Sequence, residues 1–387
     1  LKAATQAKVG CRTVPCSQFE SVIVRASFQL GMHANHQRRR SGMMTRGAAC
    51  CLILWIAVFR LPQHALPTAN VHLPPVRHVA ITAATHGNEL TGAWVSQRLE
   101  QQPSLAAHES LEVQTVIANP KAYAAVRRFI DSDLNRQFSA DSLGDSTEHA
   151  YERQRAIALN AELGPKHEPV PASDFILDLH TTTSNFGVAF IAEEWSPLGI
   201  AAATWCKEKL EPRREELGLP PLHLVLEPLD KRTSPHLISV GLEGLMIEIG
   251  PVPQGLLRHD VCHWMELCVS TVLDFLHEFN RNNITLPTEA LFYKDDGQKI
   301  AVPHDAANRP TSVFHPSLQG QDFKPLQCGD PMFIGLDGNV QVYSGEHGDQ
   351  IWPIFVNEAA YYHPESGMGF GVARQITLAV PQVTLSD

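Results

Sequence analysis

Thr85-His86-Gly87-Asn88-Glu89 sets an imidazole and a carboxylate three residues apart, directly after the apolar run His78–Ala84. A second histidine, His180, follows Asp174–Leu179 (DFILDL), and Glu248 lies inside Leu245–Ile249 (LMIEI). Two neutral imidazoles and a carboxylate suit zinc, and three protein ligands leave a fourth position for a catalytic water. His86, Glu89 and His180 are therefore the candidate metal ligands. A carboxylate in a run as apolar as Gly244–Ile249 is costly to bury unless it is paired, coordinated or chemically used. Glu248 is thus either the general base on a metal-polarised water or half of a structural ion pair.

The segment Val126 to Arg136 (VRRFIDSDLNR) carries Arg128 and Arg136. Arginines near a metal polarise a carbonyl oxygen or clamp a carboxylate through a two-pronged hydrogen bond. Taken in isolation, the segment reads as a charged surface loop. The His-x-x-Glu spacing also recurs at His149…Glu152 and His263…Glu266. Both fall in amphipathic helical patterns and read as solvated side chains one turn apart. Context separates His86/Glu89 from them: a buried strand precedes it, Gly87 permits a tight backbone path, and another strand delivers His180.

The elements that must position these groups follow from apolar patterning. His78–Ala84, Leu111–Ala118, Asp174–Leu179, Val188–Ala192 and Leu245–Ile249 read as strands. Asn88–Glu100, Glu148–Leu163 and about Leu256–Asn280 read as helices, the second stopped by Gly164-Pro165. This alternation predicts an α/β fold with a largely parallel sheet covered on both faces. In such sheets ligands gather at the carboxyl ends of strands, where His86 and His180 lie. After Asn280 the texture changes to short apolar runs separated by Pro, Gly and Asp. That predicts a smaller β-rich domain over residues 282–387, after a catalytic domain over 76–281.

Charge divides the 387 residues differently. Residues 1–75 hold nine of the 31 Lys/Arg and one of the 41 acids, leaving 22 basic and 40 acidic residues in 76–387, a net −18. A body this acidic argues against nucleic acid as a partner. The basic leader, 1–75, reads as disordered, signal-like or transit-like. Its apolar block Ala48–Phe59 has the length of a signal h-region and is too short for a membrane span, which takes about twenty residues. The body is expected in the cytoplasm, or in a secretory or organelle compartment if that block is a signal. Cysteines show no C-x-x-C pair and no dense framework, so no disulfide scaffold or thiolate zinc site is expected.

Several ordered motifs resemble the aspartoacylase/aminoacylase-3 family. They are His86-Gly87-Asn88-Glu89-Leu90-Thr91-Gly92, Asp133-Leu134-Asn135-Arg136, Asp178-Leu179-His180 and Ile247 to Gly255 (IEIGPVPQG). His315 to Asp322 (HPSLQGQD) and Val356 to Tyr362 (VNEAAYY) belong with them. The resemblance spans about residues 76 to 380. It implies a zinc-carboxypeptidase-like domain, a C-terminal domain capping the site, and hydrolysis of small anionic N-acyl amino acids, in a chain that is reasonably a homo-oligomer. It further implies that His86, Glu89 and His180 bind one Zn²⁺ and that Glu248 is the general base. Arg128 would polarise the scissile carbonyl, Asn135 and Arg136 would hold the substrate carboxylate, and Tyr361 would line the pocket.

Two departures bear on specificity. Aspartoacylases acting on N-acetyl-aspartate use a Tyr and an Arg shortly before the Glu248 strand, whereas an ungapped match puts Ile238 at the Arg position. Arg232 would substitute only after a rearrangement of its loop. Thr181 also follows His180 where an Asn is usual. The alternatives are a zinc carboxypeptidase acting on peptides, which needs an open groove, and a non-catalytic zinc or ligand-binding protein.

Overall fold

The computed structural model describes residues 70–145, 149–362 and 369–386. The apolar block Ala48–Phe59 and the four leader cysteines lie outside the described residues. The run after them begins with β1 (Asn70–Leu73), followed by β2 (His78–Ala83), helix α1 (Leu90–Gln101) and β3 (Glu112–Ile117). Short helices α2 (Pro120–Ala125) and α3 (Ala140–Gly144) lead to α4 (Tyr151–Leu163). Then come β4 (Phe175–Thr181), β5 (Gly187–Glu193), α5 (Pro197–Leu210), β6 (Leu222–Glu227), β7 (Glu243–Gly250) and α6 (His259–Asn280). The remainder is strand-rich: β8 (Glu289–Ile300), β9 (Ser312–Phe314), β10 (Leu326–Gln327) and β11 (Pro331–Gly335). It ends with β12 (Val340–Val342), β13 (Gln350–Ile354), β14 (Phe370–Ala379) and β15 (Gln382–Leu385).

Ten strands form one sheet in the order β10-β13-β14-β8-β6-β5-β7-β4-β2-β3. Strands β3, β2, β4 and β7 run parallel, β5 runs antiparallel to β7, and β5, β6 and β8 are again parallel. The sheet is therefore mixed, and the C-terminal strands β8, β14, β13 and β10 extend it. A three-stranded sheet of β9, β11 and β12 stands apart, and β1 pairs with β15. Asn70–Leu73, which composition alone leaves with the leader, is thus tied to the last strand.

Every residue of β4 and β5 is buried, as expected for strands covered on both faces. Period-two alternation sorts their side chains. Leu177, Leu179 and Ile247 pack with Val95, Cys206, Leu273 and Leu276 of α1, α5 and α6. Ile176, Ile191 and Met246 pack on the other face with Leu159, Leu237 and Ile238. Asp178, His180 and Glu248 share the parity of Ile176 and Met246, so this second face carries the chemistry. Helix α6 buries Val261, Met265, Val269, Val272, Leu276 and Phe279, a three-to-four spacing along one stripe. It starts later than its apolar pattern because Gly255 has φ of +73° and Arg258 is extended. Among the described residues no helix is long and apolar enough to cross a membrane.

Candidate active site

Strand β2 ends in a strained turn: Ala84 has φ of +51°, a left-handed conformation that costs a residue with a Cβ. The turn swings Thr85 and His86 into the space beyond the strand end. Gly87 follows, its N–H donating to Arg128 O at 3.1 Å. A Cβ there would lie 2.1 Å from the Ala122 carbonyl carbon, so only glycine fits. Two loops are thereby clamped together, one carrying His86 and Glu89, the other Arg128.

His86, Glu89 and His180 are all buried, with ligand atoms within 4.8 Å of one another. Glu89 sits between the histidines, Oε1 at 2.7 Å from His86 Nδ1 and Oε2 at 3.1 Å from His180 Nδ1. The outer nitrogens have their own carboxylates. His86 Nε2 faces Asp133 Oδ1 at 3.0 Å, and His180 Nε2 faces Asp178 Oδ2 at 2.7 Å. Asp178 is anchored in turn by Thr82 and Thr85 hydroxyls at 2.7 and 2.8 Å. A carboxylate on the far nitrogen fixes tautomer and ring orientation and leaves Nδ1 free to ligate, the arrangement metal-binding histidines use. The donor set thus fits a divalent cation such as zinc, held by three residues with room for a fourth ligand.

Charge inside the group is strongly coupled. Burial pushes the Glu89 carboxyl up, but His86 and the hydrogen bonds from both histidines hold it well below the ordinary range. Burial also lowers His180, while Asp178 and Glu89 raise it well above its usual value. On β7, Glu248 pairs in register with His180 on β4, so the two side chains stand side by side on one face. Burial and the charge of Glu89 push the Glu248 carboxyl well above its ordinary value, with His180 pulling the other way. Its Oε1 is buried without a hydrogen-bond partner among the described residues. It is therefore not half of a settled ion pair. A buried acceptor left unused is costly and marks a group kept for chemistry.

These groups open into a cavity of about 480 Å³, which Arg128, Asn135, Arg136, Thr181 and Tyr361 also line. Arg128 reaches Asp133 Oδ2 with Nε and Nη2 at 3.2 and 3.0 Å, and Glu89 Oε1 with Nη1 at 3.5 Å. It is part of the site and not a solvated loop charge. Asn135 Oδ1 accepts Leu237 N at 2.9 Å and its amide nitrogen donates to Met246 Sδ at 4.0 Å, which leaves one of its two N–H groups for a ligand. Arg136 is exposed at the rim and donates one N–H to Asn135 O at 2.9 Å. The eight residues given candidate metal, catalytic or substrate-binding roles therefore all line one cavity.

Sequence reasoning assigned no role to Asp133, Asp178 or Glu358. Glu358 is buried, accepting Thr183 N and Oγ1 at 2.8 and 2.9 Å and the Thr182 hydroxyl, which ties the Tyr361 turn to the end of β4. Glu152, read as solvated, is fully buried instead. It accepts the backbone N–H groups of Ile130, Asp131 and Ser132 at 2.7, 2.9 and 3.1 Å and so shapes the loop between Arg128 and Asp133. The helical pattern missed this because α4 begins only at Tyr151, whose first turn faces that loop.

Residues 75–276 match the succinylglutamate desuccinylase/aspartoacylase catalytic domain, and residues 296–370 match the AstE/AspA barrel-sandwich hybrid domain. The chain belongs to this family. It is 38% identical over 309 residues to the human N-acyl-aromatic-L-amino acid amidohydrolase (carboxylate-forming), covering 79% of this chain and 93% of that protein. It is 34% identical over 306 residues to a probable aspartoacylase of Trichodesmium erythraeum, covering 79% and 99%. The crystal structure of murine aminoacylase 3 superposes with a TM-score of 0.72 at 35% identity, covering 80% of this chain and 98% of that one.

Against the family pattern, the departure at the arginine now has a position. Ile238 is fully buried in the core beneath the sheet. Arg232 is 74% exposed, lies 3.8 Å from Asp141, and does not line the cavity. Among the described residues the Lys and Arg that line the cavity are Arg128, Arg136 and Lys299, so Arg232 does not take the place of the arginine. Instead the far end of the cavity carries a second group, Glu193, Glu227 and His236, whose potential ligand atoms also fall within 4.8 Å.

Proposed function

We propose that this chain hydrolyses the amide bond of small N-acyl amino acids, using one zinc ion held by His86, Glu89 and His180. The observation that carries the reading is Glu248 in register beside His180, with an unpartnered oxygen facing the cavity. The names of the relatives, aspartoacylase and N-acyl-aromatic amino acid amidohydrolase, support the same reaction class.

When bound, zinc supplies Lewis-acid polarisation of the attacking water and the scissile carbonyl. Its charge would also oppose the push that burial and Glu89 exert on Glu248. Glu248 takes the proton from the water as oxygen bonds to the acyl carbon, then delivers it to the amine nitrogen as the C–N bond breaks. Arg128 stabilises the negative charge developing on the carbonyl oxygen; Asp133 holds its guanidinium in place beforehand. Asn135, through the second N–H of its amide, and Arg136 hold the substrate carboxylate. Tyr361 lines the pocket from the Glu358-pinned turn, and a cavity of about 480 Å³ suits a small N-acyl amino acid.

Glu248→Gln preserves shape and removes the base. The variant is expected to retain zinc, measured by elemental analysis, and to lose turnover of N-acyl amino acids by several orders of magnitude. Wild-type-like turnover in the metal-loaded variant would sink the assignment.

A further inference from the structure

The cavity continues past the metal group along the same face of the sheet. Ala189 on β5 pairs with Glu248, and Ile191 and Glu193 follow on the same side of that strand. Glu193 lies four residues beyond the level of Glu248, roughly 13 Å along the sheet at about 3.3 Å per residue. Glu227 pairs with Glu193, and Val225 and Leu226 pair with Tyr293 and Lys294 on β8, so the next position sets Asp295 beside Glu227. Three adjacent strands, β5 and β6 at their ends and β8 in its middle, thus present carboxylates toward one side. Glu227 and Asp295 line the cavity, with Glu193 behind them.

Two buried cations stand beside this group, His236 and Lys166, both on the Glu193 side. His236 Nδ1 is 2.6 Å from Glu193 Oε1 and 3.2 Å from Glu227 Oε2, and the aligned hydrogen bond goes to Glu193. Glu227 Oε2 thus ion-pairs with His236 but receives no second, aligned donor. Asp295 accepts Gly297 N at 2.8 Å and has no ion pair among the described residues, whereas Asp296 is taken by Arg374 at 2.5 Å. Lys299 also reaches the wall but is exposed to solvent. Arg136, near Glu227, is committed under the proposed function to the substrate carboxylate. The wall is rigid as well: buried Lys166 holds Phe138 O, Ser234 O and Ser239 Oγ at 2.6–2.8 Å, bracing the loop that carries His236.

We propose that Glu227 and Asp295 make the far wall a subsite for a positively charged side chain, so that the substrates are N-acyl derivatives of basic amino acids such as lysine or ornithine. The inference rests on the proposed deacylase reading and names its substrate class. A long stem with a terminal ammonium follows the apolar stretch past Ile191 and Met246 and supplies donors to the Glu227 and Asp295 carboxylates. A side-chain carboxylate would meet like charge there, in keeping with the missing arginine at Ile238.

The test uses the full chain loaded with zinc and compares N-acetyl-lysine, N-acetyl-norleucine, N-acetyl-tyrosine and N-acetyl-aspartate. Norleucine shares the stem of lysine without its charge. kcat/KM for the lysine derivative should exceed that for norleucine by about tenfold or more, the worth of a hydrogen bond to a charged group, with aspartate lowest. Asp295→Asn and Glu227→Gln should each bring the lysine-to-norleucine ratio toward one; Asp295 has no ion pair to lose, so its variant should fold. Calorimetric binding of the same compounds to Glu248→Gln gives the preference without turnover. Equal binding and equal kcat/KM for lysine and norleucine would overturn the subsite and leave the deacylase reading standing. Absence of turnover on all four, with tight selective binding of N-acetyl-lysine, would instead overturn the deacylase reading alone.

Discussion

Asp178 accepts the Thr82 and Thr85 hydroxyls on one oxygen and faces His180 Nε2 with the other, while completely buried. That geometry holds a proton of His180 on Nε2, so that the proton on Nδ1 is the one a bound metal would displace. Asp178→Asn turns an N–H toward Nε2, which favours the opposite tautomer and places a proton where a metal should bind. Zinc affinity, read by chelator competition, should fall about 10- to 100-fold, the usual effect of losing such a support. Unchanged affinity would show that Asp178 serves only packing. His86, Glu89, His180 and Glu248 were legible as chemistry because each interrupts or ends an apolar run. Asp178 was not, although it stands two residues before His180 and so must share its face. Reading parity along DFILDLH would have exposed the pair. Glu152 illustrates the opposite difficulty: helical spacing describes which residues share a side, but not what tertiary partner covers it.

Strand pairing is the device that converts distant residues into a site. Leu177 pairs with Leu245 and His180 with Glu248, so the apolar core positions and the reactive positions are set by one register. A slip of one residue would move the reactive set to the face packed by α1, α5 and α6. The strands bearing the site were readable from their continuous apolar runs. Helix α5 and strand β6 went unnamed: Ala-rich α5 has little amphipathic contrast because most of its residues are buried, and LHLVLE follows a Pro-Pro pair that reads as loop. Missing β6 also hid Glu227. The C-terminal strands were legible as β-rich, but pairing across 68 residues, as between Val225 of β6 and Tyr293 of β8, leaves no local trace. At this scale Glu358 is the joint between segments, since Ala360 N and Tyr361 N bond back to it while its Oε2 holds Thr183. Glu358→Gln removes a charge-assisted acceptor. KM should rise about tenfold with a smaller change in kcat, as Tyr361 loses its fixed place. A selective loss of kcat at constant KM would mean that Glu358 acts on the reacting groups directly.

The whole chain carries a net −10, and residues 76–387 alone −18, so an anionic substrate approaches against the long-range field. Arg128, Arg136 and the metal act only inside the cavity, over distances that surrounding carboxylates and salt limit. Which field governs encounter is decided by range. At about 10 mM ionic strength the Debye length is about 30 Å and the whole body contributes, whereas at about 150 mM it is about 8 Å and only the cavity does. Raising salt between these limits should therefore increase kcat/KM for N-acetyl-aspartate, a dianion, and increase it less for the monoanion N-acetyl-tyrosine. N-acetyl-lysine, whose side-chain charge cancels its carboxylate, should show almost no dependence. A fall in kcat/KM with salt for the dianion would mean that the arginines steer substrate from solution. The same series separates two contributions to specificity: rejection of dianions at long range is screened away by salt, while rejection by Glu227 and Asp295 inside the cavity is not.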